Sequence, residues 1–276
     1  MLKIGKFNQL KVGRSVQFGL YLESDKGDIL LPNKYVPKGT QIGDVLNVFI
    51  YTDSEDRLIA TTLQPKAVVD EFVALEVKDT VPFGAFLDWG LEKDLLVPKR
   101  EQHRPMREGE VHVVRLCLDY RTNRVIGVAK LNAFFNKNTK ALKKDQEVDV
   151  MVYGQTDLGW MVIINQEYSG MLYKNEVFEP LTVGDIRKGF IKKLREDGKI
   201  DVSLQPQGFQ AVVDSKEKIL LALKDAGGFL PYHDKTEPER IKATFQMSKK
   251  IFKKIIGNLQ KDGKLTISDK GIHLTE

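Results

Sequence analysis

Cysteine is almost missing from this chain. Cys117 is the single one in 276 residues, which excludes an internal disulfide framework and fits a reducing compartment. No apolar run approaches the ~20 residues needed to cross a bilayer. Residues 1–11 alternate polar and apolar side chains, so no secretory leader is expected and the cytoplasm is the expected location. Histidine is scarce as well: His103, His112, His233 and His273 are scattered without metal-ligand spacing. A phosphate-cradling P-loop and a Gly-x-Ser-x-Gly nucleophile elbow are both missing. The expectation is therefore a chain without metal or cofactor that is not an enzyme.

What is present is modest basic charge and strong self-similarity. The net charge of +5 and pI near 9.0 suit a polyanionic partner without requiring one. Three markers recur in fixed order. An aromatic-Gly-x-aromatic stretch comes first, Phe18-Gly19-Leu20-Tyr21 and Phe83-Gly84-Ala85-Phe86. An apolar run closing on proline follows, Ile29-Leu30-Leu31-Pro32 and Leu95-Leu96-Val97-Pro98. A Gly-acid-apolar strand start comes last, Gly43-Asp44-Val45 and Gly109-Glu110-Val111. A degenerate third copy reads Leu158-Gly159-Trp160-Met161, Gly170-Met171-Leu172-Tyr173 and Gly184-Asp185-Ile186. The markers shift by 65 or 66 positions to copy two and by 140 or 141 to copy three.

Within each copy, short period-2 segments such as 45–51 and 111–118 are bounded by Gly, Asp, Asn and Pro. Five such strands in about 65 residues fit a small closed barrel, which leaves no free sheet edge. Asp44, Glu110 and Asp185 occupy one turn in three separate barrels, so they cannot converge on a metal. Cys117, alternating within an apolar strand, is expected to be buried and inert.

These markers resemble the S-one domain, an RNA-binding OB-fold module, and copy two resembles it best. Val81-Pro82-Phe83-Gly84-Ala85-Phe86-Leu87 is similar to the module's second strand, Asp94-Leu95-Leu96-Val97-Pro98 to its third and Arg124-Val125-Ile126-Gly127-Val128 to its last. In that family two aromatics, a histidine ending strand three and a basic residue opening the last strand form the RNA surface. The resemblance places the aromatics at Phe18, Tyr21, Phe83 and Phe86, with Leu158 and Met161 in copy three. It places the basic residue at Arg57, Arg124 and Lys199. Pro32, Pro98 and Tyr173 stand at the histidine position, where Tyr173 retains a ring that can stack. Aromatics three apart on a regular strand face opposite sides, so the glycine between them is expected to allow a bulge that brings both to one surface. The alternative is that the rings fill barrel interiors.

After Pro206 the pattern becomes helical. Residues 216–223 carry Ile219, Leu220 and Leu223 on one face, and Gly227-Gly228 ends the segment. A second helix is expected from Pro238 to Phe245 and a third from an N-cap at Ser248 to about Lys261. Ile251, Phe252, Ile255, Ile256 and Leu259 form its apolar stripe, and strands at 263–267 and 271–274 close a winged helix-turn-helix. Lys250, Lys253 and Lys254 oppose the stripe, either tracking phosphates or simply solvated; base reading favours Arg, Asn and Gln instead.

Three S-one-like copies followed by a winged helix resemble the conserved virulence factor B family. The fold expected is a mainly β multidomain chain. OB-type barrels occupy residues 1–66, 67–136 and 137–207, and an α+β winged helix occupies 208–276. The resemblance implies a non-enzymatic RNA-binding regulator of gene expression that prefers single strands and has no membrane partner. Two rivals stay open: a DNA-binding regulator acting through the winged helix, and a scaffold recruiting ribonuclease or ribosomal partners.

Overall fold

The structure, a computed structural model, describes residues 1–177, 180–206 and 208–275, with the backbone alone over 208–214. The expected segment limits at Gln207 and Glu276 lie outside the described residues. Contacts divide the chain into two units, Met1–Phe135 and Asn136–Glu276.

The first unit holds two five-stranded barrels. Strands β1 (Phe7–Val16), β2 (Gly19–Glu23), β3 (Ile29–Pro32), β4 (Val45–Thr52) and β5 (Leu58–Thr61) close in the order β1-β2-β3-β5-β4, with β3 and β5 parallel. Strands β6 (Phe72–Val81), β7 (Gly84–Leu87), β8 (Leu95–Pro98), β9 (Val111–Asp119) and β10 (Arg124–Val128) repeat that closure. Single 3-10 turns, Asn33–Tyr35 and Lys99–Glu101, follow the third strand of each copy.

Strand β4 explains how the two barrels become one body. It is buried almost without interruption from Val48 to Thr52, although a strand of a solvent-facing barrel should alternate. Val48 and Ile50 point into barrel one's core, whereas Phe49 and Tyr51 join the core of barrel two. There Trp89 meets both rings edge-on, at 5.7 Å from Phe49 and 6.2 Å from Tyr51. The stretch at 66–70, which joins the two barrels, is tied down: Lys66 N–H donates to Trp89 O, Val69 N–H to Gly5 O and Asp70 N–H to Leu116 O.

The repeated Gly-acid marker has one structural cause. In the first strand of each barrel the register slips by one residue, after Val12 and after Val77. Gly43 N–H donates to Val12 O, and Val12 N–H donates to Asp44 O; Gly109, Val77 and Glu110 repeat both bonds at 2.9 Å. The turn needs a left-handed glycine, with φ of 99° at Gly43 and 79° at Gly109. The acid accepts from the backbone three residues earlier, Asp44 from Gln41 N and Glu110 from Arg107 N.

The second unit carries the third barrel and the helical domain. Strands β11 (Glu147–Gln155), β12 (Gly159–Ile164), β13 (Tyr168–Tyr173), β14 (Ile186–Leu194) and β15 (Ile200–Ser203) close in the same order. The same slip after Val152 binds Gly184 and Asp185. Then come α1 (Gly208–Asp225), β16 (Phe229–Leu230), α2 (Pro238–Phe245), α3 (Lys249–Lys261), β17 (Leu265–Ser268) and β18 (Gly271–Leu274), the strands ordered β16-β18-β17. Helix α1 is longer than the apolar spacing of 216–223 implies. Gly228 N–H donates to Leu223 O as the chain leaves it. Ser248 caps α3 by accepting from Ile251 N, and Pro238 opens α2. Phe252, Ile255, Ile256 and Leu259 are buried as the stripe requires. Ile251, assigned to that stripe, is instead 40% exposed, because it precedes Phe252 by one position and falls at the stripe's edge. Among the described residues no helix is long and apolar enough to cross a membrane.

Candidate nucleic-acid interface

The two aromatic pairs form matching corners. Phe18 lies in the two-residue turn between β1 and β2 and is 57% exposed; Phe83 holds the same place between β6 and β7 and is 61% exposed. Tyr21 and Phe86, half-buried, stand on β2 and β7. Their rings meet edge-on at 6.4 Å for Phe18–Tyr21 and 6.3 Å for Phe83–Phe86. None of the four fills a barrel interior. The expected bulge at the intervening glycine is not there: β2 pairs regularly with β3, as β7 does with β8. The rings share a surface because the first of each pair sits in the turn. The glycine's work is close approach, since a Cβ on Gly84 would stand 2.6 Å from Val97 O and one on Gly19 2.2 Å from Leu31 O.

The basic positions are all engaged with carboxylates. The Arg57 guanidinium takes both Nε and Nη2 to Asp53, at 2.9 and 2.8 Å, and remains exposed. Arg124 clasps Asp56 of barrel one with two bonds, Nε to Oδ1 at 2.6 Å being one. That neighbour holds the Asp56 carboxyl below its ordinary range. Lys199 pairs with Asp197 at 3.0 Å. Where the barrels meet, Lys93 is half-buried and donates to the carbonyls of Thr52 and Asp53, at 3.0 and 2.6 Å. Burial pushes its ammonium down.

Copy three is built differently. Leu158 occupies the turn position and is 64% exposed, Met161 is half-buried, and Trp160 packs against the barrel core. Tyr173 is half-buried and accepts a hydrogen bond from Arg195, which also binds the buried Asp201 at 2.9 Å. On α3, Lys250, Lys253 and Lys254 are exposed, and Lys253 approaches Asp234 at 3.7 Å.

Two residues escaped the sequence reading. The Arg14 guanidinium lies 4.1 Å from the Tyr21 ring centre and 3.3 Å from Asp28; Arg195 sits beside Tyr173. Both are found only once strand register is known, Arg14 opposite Tyr21 and Arg195 opposite Lys199. Cys117 was expected buried. It is half-buried on the outer side of β9, where desolvation pushes its thiol up to about 11, so it is protonated at neutral pH.

Two protein families match parts of this chain. The family described as S1 domain matches residues 4–63, and that described as CvfB-like winged helix domain matches residues 217–274. The first match falls on copy one, although copy two carries the fuller set of markers. An uncharacterized protein, YitL of Bacillus subtilis, is 30% identical over 96% of this chain and 91% of its own length. Conserved virulence factor B of Staphylococcus epidermidis is 27% identical over 84% of this chain and 82% of its own. Among solved structures, a multidomain protein with nucleic acid binding domains from Streptococcus pneumoniae is 25% identical over 98% of both chains, with a TM-score of 0.47.

Proposed function

We infer that this chain, which belongs to the conserved virulence factor B family, is a non-enzymatic RNA-binding protein that acts as a bacterial post-transcriptional regulator in the cytoplasm. Single-stranded RNA is its ligand. The observation that carries this reading is the paired corner, Phe18 with Tyr21 and Phe83 with Phe86, repeated in one geometry on two barrels of a single unit. A ring in an exposed turn at right angles to a second ring offers an unpaired base a face to stack on, worth ~1–3 kcal/mol per base whatever the sequence. Arg57, Arg124 and Lys199 hold the phosphates beside the stacked bases, each exchanging its present carboxylate for a phosphate. That exchange is cheap, because exposed ion pairs stabilise by only ~0–1 kcal/mol. In copy three Tyr173, with Arg195 beside it, offers a single further ring.

A second reading rests on α3. Lys250 and Lys254 are exposed, and among the described residues neither forms an ion pair. That suits phosphate tracking along duplex DNA by the winged helix. One titration of the full chain separates the two readings. Single-stranded RNA is expected to bind more tightly than duplex RNA or duplex DNA, since stacking needs unpaired bases and the A-form major groove admits no side chains. Equal or tighter binding of duplex DNA would transfer the function to the winged helix.

A further inference from the structure

Copies one and two differ at the base of their aromatic corners, and the difference points to a ligand. In copy one Arg14 lies over Tyr21 and pairs with Asp28, the residue just before β3. Copy two keeps the ring as Phe86 and the carboxylate as Asp94, just before β8. Asp79, not arginine, stands opposite Phe86. The Asp94 carboxylate therefore has no donor: among the described residues it takes part in no hydrogen bond or ion pair. It lines a cavity of about 250 Å³ with Phe83, Phe86, Leu96, Arg124 and Tyr51 of barrel one. Burial pushes the Asp94 carboxyl up, with Asp88 and Asp79 adding to the rise, as suits an acceptor that lacks its partner.

We propose that the cavity at Phe86 and Asp94 is a guanine-selective base pocket. The proposal rests on the RNA-binding reading above and gives it a base preference. Copy one shows which group the corner accepts: a flat N–H donor group over the ring, bonded to the carboxylate through Nε. Guanine carries a flat pair of N–H donors, because N1–H and the N2 amino group lie side by side on its Watson–Crick edge. An ionised aspartate accepts only, so it takes both donors in a bidentate, charge-assisted pair. Adenine and cytosine place an acceptor nitrogen beside their amino donor, and uracil flanks its one donor with two carbonyls. Each turns a lone pair toward the carboxylate. The volume agrees, since pockets for small molecules start near ~300 Å³ and this one is just below that, room for one base. Arg124 lines the same cavity and supplies a cation for the base's phosphate.

The test uses the full chain and uridine tracts carrying one central guanosine, inosine or adenosine, with binding read by fluorescence anisotropy. Guanosine is expected to bind about tenfold more tightly than adenosine, the lower part of the range for one bidentate base contact. Inosine, which lacks the N2 amino group, should fall between them. Asp94→Asn, which removes no protein contact, should bring the ratio close to one. Asp79→Arg should do the same by supplying the arginine that copy one already has. Binding of all three tracts with equal affinity would overturn the base pocket and leave RNA binding standing. A preference that survives both substitutions would place it elsewhere and overturn the assignment to Asp94. No binding of any tract would overturn the RNA reading and the pocket with it. Tighter binding of an arginine-bearing peptide, lost in Asp94→Asn, would overturn the pocket in favour of a protein partner.

Discussion

The fourth strands of copies one and three start in the same register and differ in what they turn outward. Registers give Phe190 of β14 the place of Phe49 of β4, but past Ile191 strand β14 slips by one residue and leaves Lys192 in a bulge, where β4 runs on regularly to Tyr51. In copy one this outer face is aromatic and disappears under Trp89. In copy three the bulged Lys192 is half-buried and paired with Glu176. In copy two the same positions are Arg115 and Cys117, with the Arg115 guanidinium over Phe72 and Phe134. The inward residues repeat because the barrel must close, while the outward ones record each copy's neighbours. Repeated glycines and acids therefore mark backbone needs, and departures from the repeat on this face mark what each barrel packs against.

The largest effect should come from breaking the aromatic seam. Trp89→Ala is expected to destabilise the first unit by ~3–5 kcal/mol, measured by chemical denaturation, whereas Lys192→Ala in copy three should cost less than ~1 kcal/mol. Comparable losses would mean that β4 and β14 are more alike than their outer faces imply. Next, the Phe83→Ala, Phe86→Ala double variant should weaken single-stranded RNA binding by ~2–4 kcal/mol. The matching Leu158→Ala, Met161→Ala pair should change it by no more than ~0.5 kcal/mol. Melting curves recorded alongside must show both pairs folded for the difference to be one of binding. Arg124→Gln should cost less than the ring pair and lower the salt slope of binding by ~0.7; an unchanged slope would remove Arg124 from the phosphate path.

The smallest effect concerns the turn that all copies share. In copy two its acid, Glu110, accepts from His112 and Arg104 as well, and these hold its carboxyl down to about 2 from an ordinary 4.5. A lowered carboxyl contributes stability that is whole above the unfolded value and lost as pH falls through the folded one. The advantage of wild type over Glu110→Gln should thus be full at neutral pH and fade between about 4.5 and 2. A pH-independent difference would assign Glu110 only to the backbone bond from Arg107.

Most of the framework was legible from residues 1 to 206, because a closed barrel repeats its turn glycines and strand alternation whatever surrounds it. The winged helix was legible from Pro238, Ser248 and the α3 stripe, since caps and helical spacing are local. What escaped was contact at long range. Nothing local to β4 says that Phe49 and Tyr51 are buried while Ile251, equally apolar, is not. Nor does anything local to the 66–70 connector say that its backbone is consumed by barrels on either side. The four aromatics were found by repeat, but the reason they meet, a ring placed in the turn, depends on where β2 and β7 begin. Arg124 was found as a cation, and its clasp on Asp56 spans two barrels that no local pattern links.

The seam at Trp89 also sets an order of events during synthesis. Barrel one has all its strands once Thr61 has been made, but the cover for Phe49 and Tyr51 arrives only with Trp89. At ribosomal rates of ~5–20 residues per second that gap lasts on the order of seconds. For that interval a nascent chain that has already closed its first barrel presents a bare aromatic face, the kind of patch that invites association. Slowing translation between the two copies would lengthen this window, and the cell would register it as loss of the first unit to chaperones or aggregates while the sequence stayed unaltered.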